Sequence, residues 1–127
     1  MKPKVMLSPY KGKTGLRRLI NAFGYSISGL RAAYRLEDAF RQEIVLAAVL
    51  IPAALLLPVA ATGRALLLAS VLLVLIVELL NSAIEAAVDR ISLDNHELAK
   101  VAKDIGSAAV MLSLACMTTV WIVVLVG

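Results

Sequence analysis

Glu78, Asn81, Glu85 and Asp89 follow one another at intervals of three, four and four residues. On an α-helix these steps place all four polar groups on one stripe. The stripe continues directly from residues 65–77, an uncharged run whose only polar member is Ser70. A carboxylate deep in a membrane helix costs about 2.5–3.5 kcal/mol or more. A chain that carries several on one face has a use for them, and the chemistry open to them is proton acceptance and the binding of a hard cation.

The elements that position this stripe follow from the apolar runs. Residues 44–63 are twenty uncharged residues, about 30 Å as helix, enough to cross the hydrocarbon. They form the core of a first span over about 37–57. Pro52 is expected to kink it, and Pro58 with Thr62 and Gly63 to end it in a short turn. A second span runs over about 62–90. Residues 92–103 are polar and charged and read as a loop entering the third helix, whose span is about 103–126. Ahead of these, Leu16, Leu19, Ile20, Phe23, Ile27, Leu30 and Tyr34 fall on one face of a helix over about 15–34. That basic amphipathic helix is expected to lie in the membrane surface. The fold class is therefore an all-α membrane protein with one surface helix and three transmembrane helices: a flexible basic tail at 1–13, then a single integral membrane domain at 14–127.

Composition supports this reading. Hydrophobic residues make up 61% of the chain, above the usual 45–50% or so of soluble domains. Nine of the thirteen Lys and Arg lie at or before Arg41, which suits anionic lipid better than nucleic acid, because they adjoin the spans. The basic start leads into an amphipathic stretch and not a short apolar core, so no cleavable signal peptide is expected. Among Lys and Arg, the turn between the first two spans carries only Arg64. The N-terminus and the 92–103 segment are accordingly expected in the cytoplasm and the C-terminus outside. The single cysteine, Cys116, excludes an intrachain disulfide and a CxxC metal site. Gly12-Lys13-Thr14 lacks the first glycine and the preceding strand of a phosphate-binding loop.

Depth follows from the helix rise. If the second helix begins near Thr62, Glu78 lies about 24 Å along it and Glu85 about 10 Å further. The stripe then straddles the boundary where a lipid headgroup meets a water-soluble reagent. Glu37, Asp38, Arg41, Gln42, Glu43, Asp94, Asn95, His96, Glu97, Lys103 and Asp104 all reach that depth. Carboxylates to hold Mg²⁺, cations to neutralise a transferred phosphoryl group and a buried Glu to accept a proton suit phosphoryl transfer to a lipid alcohol. Against this, charges at helix ends are ordinarily solvated, which is the plainer reading of Asp38, Asp94 and Glu97 taken singly. Asn81 has a plainer reading too, as a hydrogen bond between helices. The small residues Ser82, Ala83, Ala86 and Ala87, and Gly106, Ser107, Ala108 and Ala109 on the third span, would allow close helix packing.

The segments GYSISGLRAAY (24–34), EDAFRQE (37–43), VELLNSAIEAAVDRI (77–91) and HELAKVAKDIGSAAV (96–110) resemble the prokaryotic-type integral membrane diacylglycerol kinases, in order and in spacing. The resemblance implies an inner-membrane homotrimer with active sites shared between subunits. It implies transfer of the γ-phosphoryl of Mg-ATP to sn-1,2-diacylglycerol, giving phosphatidate. By resemblance, Glu78 is the catalytic base and Asn81 a catalytic polar residue, while Glu37 and Glu85 hold the metal on the nucleotide. Arg18, Tyr25, Asp94, Asn95, His96, Lys103 and Asp104 match nucleotide-contacting positions, which Glu37 and Glu85 share through the metal. Arg18, Ala39, Phe40, Arg41, Gln42, Glu43, Arg64, Ser107 and Glu78 itself match the lipid site. Phe23 departs from the family pattern, standing where a small residue is common, and bears on acyl-chain fit. Two alternatives stay open: an undecaprenol kinase of the same family, and a small ion-conducting or transporter subunit using Glu78 and Glu85. The choice of phosphoryl transfer over another use of a cation site comes from the resemblance.

Overall fold

The computed structural model describes residues 15–91 and 97–127. The expected basic tail, and Asp94, Asn95 and His96, lie outside the described residues. Four helices follow in order: α1 Gly15–Leu36, α2 Asp38–Leu56, α3 Ala61–Ile91 and α4 Glu97–Val126. The last three are long and apolar enough to cross a membrane, as the uncharged runs predict.

The chain divides into residues 1–32 and 33–127. The first unit carries most of α1, where Leu16, Leu19, Ile20, Phe23 and Leu30 are all exposed. The second begins with the last turn of α1, which passes to α2 through the single residue Glu37. Glu37 N–H donates to Ala33 O at 2.9 Å, and Arg41 N–H donates to Glu37 O at 3.2 Å. The Arg41 guanidinium then turns back, donating to Tyr34 O at 2.8 Å and Arg35 O at 3.0 Å and pairing with Asp38. It satisfies carbonyls that the end of α1 leaves without intrahelical partners.

Pro52 lies inside α2 without ending it. The turn that follows has the expected length and begins one residue earlier than expected. Leu57 N–H donates to Ala53 O and Val59 N–H to Leu57 O, each at 2.9 Å, and α3 has begun by Ala61. Thr62 and Gly63 thus belong to the first turn of α3 and not to the connection. Arg64 reaches back from that turn and donates to Ala54 O (2.8 Å), Leu55 O (2.7 Å) and Val59 O (3.2 Å). One guanidinium caps the C-terminal end of α2, satisfying carbonyls that lack intrahelical partners.

α3 is the central element and packs on both α2 and α4, more extensively on α4. Its buried residues are Leu67, Ser70, Val71, Val74, Glu78 and Asn81, a single stripe at helical spacing. Val71 and Val74 join Ala47 of α2 and Met117 of α4 in the core, with Leu50, Ile51, Leu75, Leu114 and Trp121 around them. Elsewhere the three long helices present bare apolar side chains, among them Val45, Val49, Leu72, Ile76, Met111, Leu112 and Val123. An exterior of this kind suits hydrocarbon and not water.

Two glycines set how closely α3 and α4 approach. A Cβ on Gly63 would stand 3.1 Å from Val124 Cγ1, and a Cβ on Gly106 would fall on the Asn81 amide. Gly63 to Asn81 is eighteen residues along α3, and Gly106 to Val124 is eighteen along α4. Eighteen residues are five whole turns at about 3.6 per turn, so the same faces meet at both ends of an antiparallel pair.

α4 starts at Glu97, six residues before the expected 103. The charges that read as loop are compatible with helix: Lys100 Nζ and Asp104 Oδ2, four residues apart, pair at 2.7 Å. Glu97 lies in the first turn, where a negative charge complements the helix dipole.

Candidate active site

Glu78 is 3% exposed and Asn81 9%, and both lie on the buried stripe of α3. Because the stripe turns toward α4, the carboxylate at 78 is enclosed by protein while the next polar residues along it emerge. Glu85 is half-buried and Asp89 exposed. The Asn81 amide bridges this gradient, with Nδ2 donating to Glu85 Oε1 at 3.3 Å. Asn81 is thus bonded along its own helix, whereas the plain reading of the sequence had it bonding across to another.

Two more carboxylates approach from the start of α2. Glu37 and Glu43, like Glu85, lie close enough to Glu78 to interact with it electrostatically. Glu37 occupies the N-cap position of α2, but its side chain makes no capping hydrogen bond. Its carboxylate is therefore not consumed by the helix terminus. Glu43 Oε2 is buried with no hydrogen-bond partner among the described residues. Glu37, Glu43 and Glu85 place negative charge around Glu78, which a divalent cation or a shared proton relieves.

Lys103 stands at the same end of α4, its Nζ 2.5 Å from Asp89 Oδ1. Asp104, its neighbour, is held by Lys100. Ser107 is exposed beside the buried Gly106. Ala39 and Gln42 are exposed, whereas Phe40 is 2% exposed and forms part of the interior. Arg41 and Arg64 both spend their donors on helix ends. Arg64 is also fourteen residues from Glu78 along α3, about 21 Å, so it is not brought to the carboxylates of its own chain. Arg18 and Tyr25 are exposed on α1, in the first unit. In the sequence Gly106 stands only as one small residue among several, and Gly63 as part of a turn. Neither contact leaves a signal in the sequence of one helix.

The chain matches the family described as prokaryotic diacylglycerol kinase over residues 24–125. A protein named diacylglycerol kinase from Pseudomonas aeruginosa is 58% identical over 120 residues, covering 94% of this chain and 98% of the relative. One of the same name from Escherichia coli K12 is 52% identical over 112 residues, 88% of this chain and 92% of the relative. A third, from Helicobacter pylori, is 42% identical over 113 residues, covering 89% of this chain and 88% of its own length. Three helices fit to cross a bilayer, a buried carboxylate stripe and end-to-end similarity to these relatives agree: the chain is a multi-pass membrane enzyme of the prokaryotic diacylglycerol kinase family.

Proposed function

We propose that the chain transfers the γ-phosphoryl of Mg-ATP to the free hydroxyl of sn-1,2-diacylglycerol, forming phosphatidate and ADP at the cytoplasmic face of the inner membrane. The observation that carries this reading is the burial of Glu78 at the point where the apolar stripe of α3 gives way to Asn81, Glu85 and Asp89. The names of the relatives support the same acceptor.

In this reading Glu78 accepts the proton of the lipid hydroxyl as its oxygen attacks the γ-phosphorus, and the bond to the β-phosphate oxygen breaks. The burial of Glu78 keeps bulk water from competing with the lipid hydroxyl for its carboxylate. Asn81 stands between the base and the metal carboxylate. Lys103, Asp104, Arg18, Tyr25 and the undescribed Asp94, Asn95 and His96 are the proposed nucleotide contacts. Ala39, Gln42, Glu43 and Ser107 border the lipid site, Phe40 supports it from within, and Arg41 and Arg64 hold the adjoining helix ends.

The donor set also suits the metal. Among the described residues, no three His, Cys, Asp or Glu come together to hold an ion. Magnesium is typically held by one or two carboxylates together with phosphate oxygens and water. Glu37 and Glu85 are such a pair, fitted to an ion that arrives on the nucleotide. When bound, the ion would neutralise charge on the β- and γ-phosphates.

Further parts of the reading are a homotrimer with sites shared between subunits, α1 lying in the membrane surface, and a cytoplasmic N-terminus with a periplasmic C-terminus. The exposed apolar face of α1 supports its place in the membrane surface, the placement of the basic residues supports the orientation, and the homotrimer rests on the family resemblance. An ion conduit finds no support in the stripe: beyond Glu78 it consists of Val74, Val71, Ser70 and Leu67, and Ser70 Oγ is bonded to Leu67 O at 2.8 Å.

The deciding experiment is lipid phosphorylation by purified protein in mixed micelles, with labelled ATP, Mg²⁺ and either diacylglycerol or undecaprenol. Phosphatidate in excess over polyprenyl phosphate is the expected result. Preference for undecaprenol would move the acceptor to the polyprenyl alcohol, and absence of any lipid product from folded protein would overturn the kinase reading.

A further inference from the structure

We propose that Gly106 is a positioning residue for Glu85, acting through Asn81: its missing side chain lets the amide hold the carboxylate in place for the metal–nucleotide complex. The inference rests on the lipid-kinase reading above.

The orientation of Asn81 follows from chemistry. An ionised carboxylate only accepts hydrogen bonds, so the amide end that faces Glu85 Oε1 is the NH₂ group. The carbonyl end therefore points the other way, toward α4. There Asn81 Oδ1 is buried and has no hydrogen-bond partner among the described residues. Buried polar atoms are rarely left unpaired, and each exception calls for a reason. Here the reason is the other end of the same group: turning Oδ1 away is what aims Nδ2 at Glu85.

This arrangement exists only because residue 106 has no side chain. A Cβ on Gly106 would overlap Asn81 Oδ1 and lie 3.3 Å from Asn81 Cγ, with no other atom within 4 Å outside its own helix neighbourhood. The space left open at Gly106 thus serves one side chain. Gly63 gives the contrast. It lies at the opposite end of the same helix pair, in the same register, and a Cβ there would meet only the Val124 methyl at 3.1 Å and Val59 Cβ at 3.9 Å. Gly63 serves packing, whereas Gly106 serves an amide that touches a proposed metal ligand. Groups that hold a metal ligand from behind are worth about 10–100-fold in metal affinity or activity.

Five proteins test this: wild type, Gly106→Ala, Asn81→Ala, the double variant and Gly63→Ala. Mn²⁺ binding with a non-hydrolysable ATP analogue is read by electron paramagnetic resonance, and thermal melting in detergent reports folding. Gly106→Ala and Asn81→Ala are each expected to weaken Mn²⁺ binding about 10- to 100-fold. The double variant is expected to be no weaker than the Asn81→Ala protein, because the added methyl then meets nothing, and Gly63→Ala is expected to bind as wild type. Unchanged binding by the Gly106→Ala protein would overturn the inference, as would a double variant weakened by the product of the two single effects. If Gly106→Ala alone fails to fold, the double variant is expected to fold with the affinity of the Asn81→Ala protein, and its failure to do so overturns the inference. Diacylglycerol phosphorylation by the wild type separates the two levels. An active wild type without the coupling removes only the role of Gly106, and a wild type that neither phosphorylates lipid nor binds the Mn²⁺–nucleotide removes both.

Discussion

Lys103 Nζ on α4 lies 2.5 Å from Asp89 Oδ1 on α3, so these two helices are tied by charge just before and just after residues 92–96. Both partners remain substantially exposed, and an exposed ion pair adds little to stability. In the proposed reading, Asp89 holds Lys103 until nucleotide phosphate takes its place. Asp89→Asn is expected to leave the melting temperature nearly unchanged and to lower the KM for ATP by less than about fivefold. Lys103→Met is expected to raise it. A rise in KM for both variants would make Asp89 an orienting partner and not a competitor.

Glu78→Gln keeps the shape of the side chain and removes the proton acceptor. Turnover is expected to fall by about 10²–10⁴-fold, with the KM for Mg-ATP close to that of wild type, because no metal ligand is lost. Steady-state kinetics at saturating lipid checks this, and normal turnover would remove Glu78 from the mechanism.

Glu85→Gln is expected to act on the other parameter. The Mg²⁺ concentration giving half-maximal rate should rise by about tenfold or more, with a smaller change in turnover at saturating metal. A Mg²⁺ titration is sufficient, and an unchanged midpoint would exclude Glu85 as a ligand.

Arg64→Met retains the apolar stem and loses the donors to Ala54 O, Leu55 O and Val59 O. Loss of these charged hydrogen bonds is expected to destabilise the fold on the order of 1–3 kcal/mol, read as a lower melting temperature in detergent. An unchanged melting temperature would release Arg64 for the lipid contact that family resemblance implies.

Much of this was legible in the chain because a bilayer enforces simple rules. Uncharged runs of spanning length located α2, α3 and α4 to within a residue or so, except at the start of α4. That start was read as loop because its residues are charged, although Lys100 and Asp104 are spaced for a helix. Thr62 and Gly63 have turn propensity, but the glycine is needed inside α3 where Val124 approaches, a fact of tertiary packing. The carboxylate stripe itself was legible, since periodicity alone aligns Glu78 with Asn81, Glu85 and Asp89. The direction in which the Asn81 amide points was not, because it depends on an absent side chain twenty-five residues away. Arg41 and Arg64 matched lipid positions in the family pattern, while their donors answer to orphaned backbone carbonyls nearby.

The apolar part of the α3 stripe has an electrical consequence. Leu67, Val71 and Val74 are each no more than 2% exposed, and the hydroxyl between them is closed on its own helix. Moving one elementary charge through a full membrane potential of 100 mV is worth about 2.3 kcal/mol, and that plug offers protons no stepping stone on which to collect it. In the proposed reading, protons accepted at Glu78 leave on the side by which the nucleotide enters. Turnover by that route would leave an energised membrane charged.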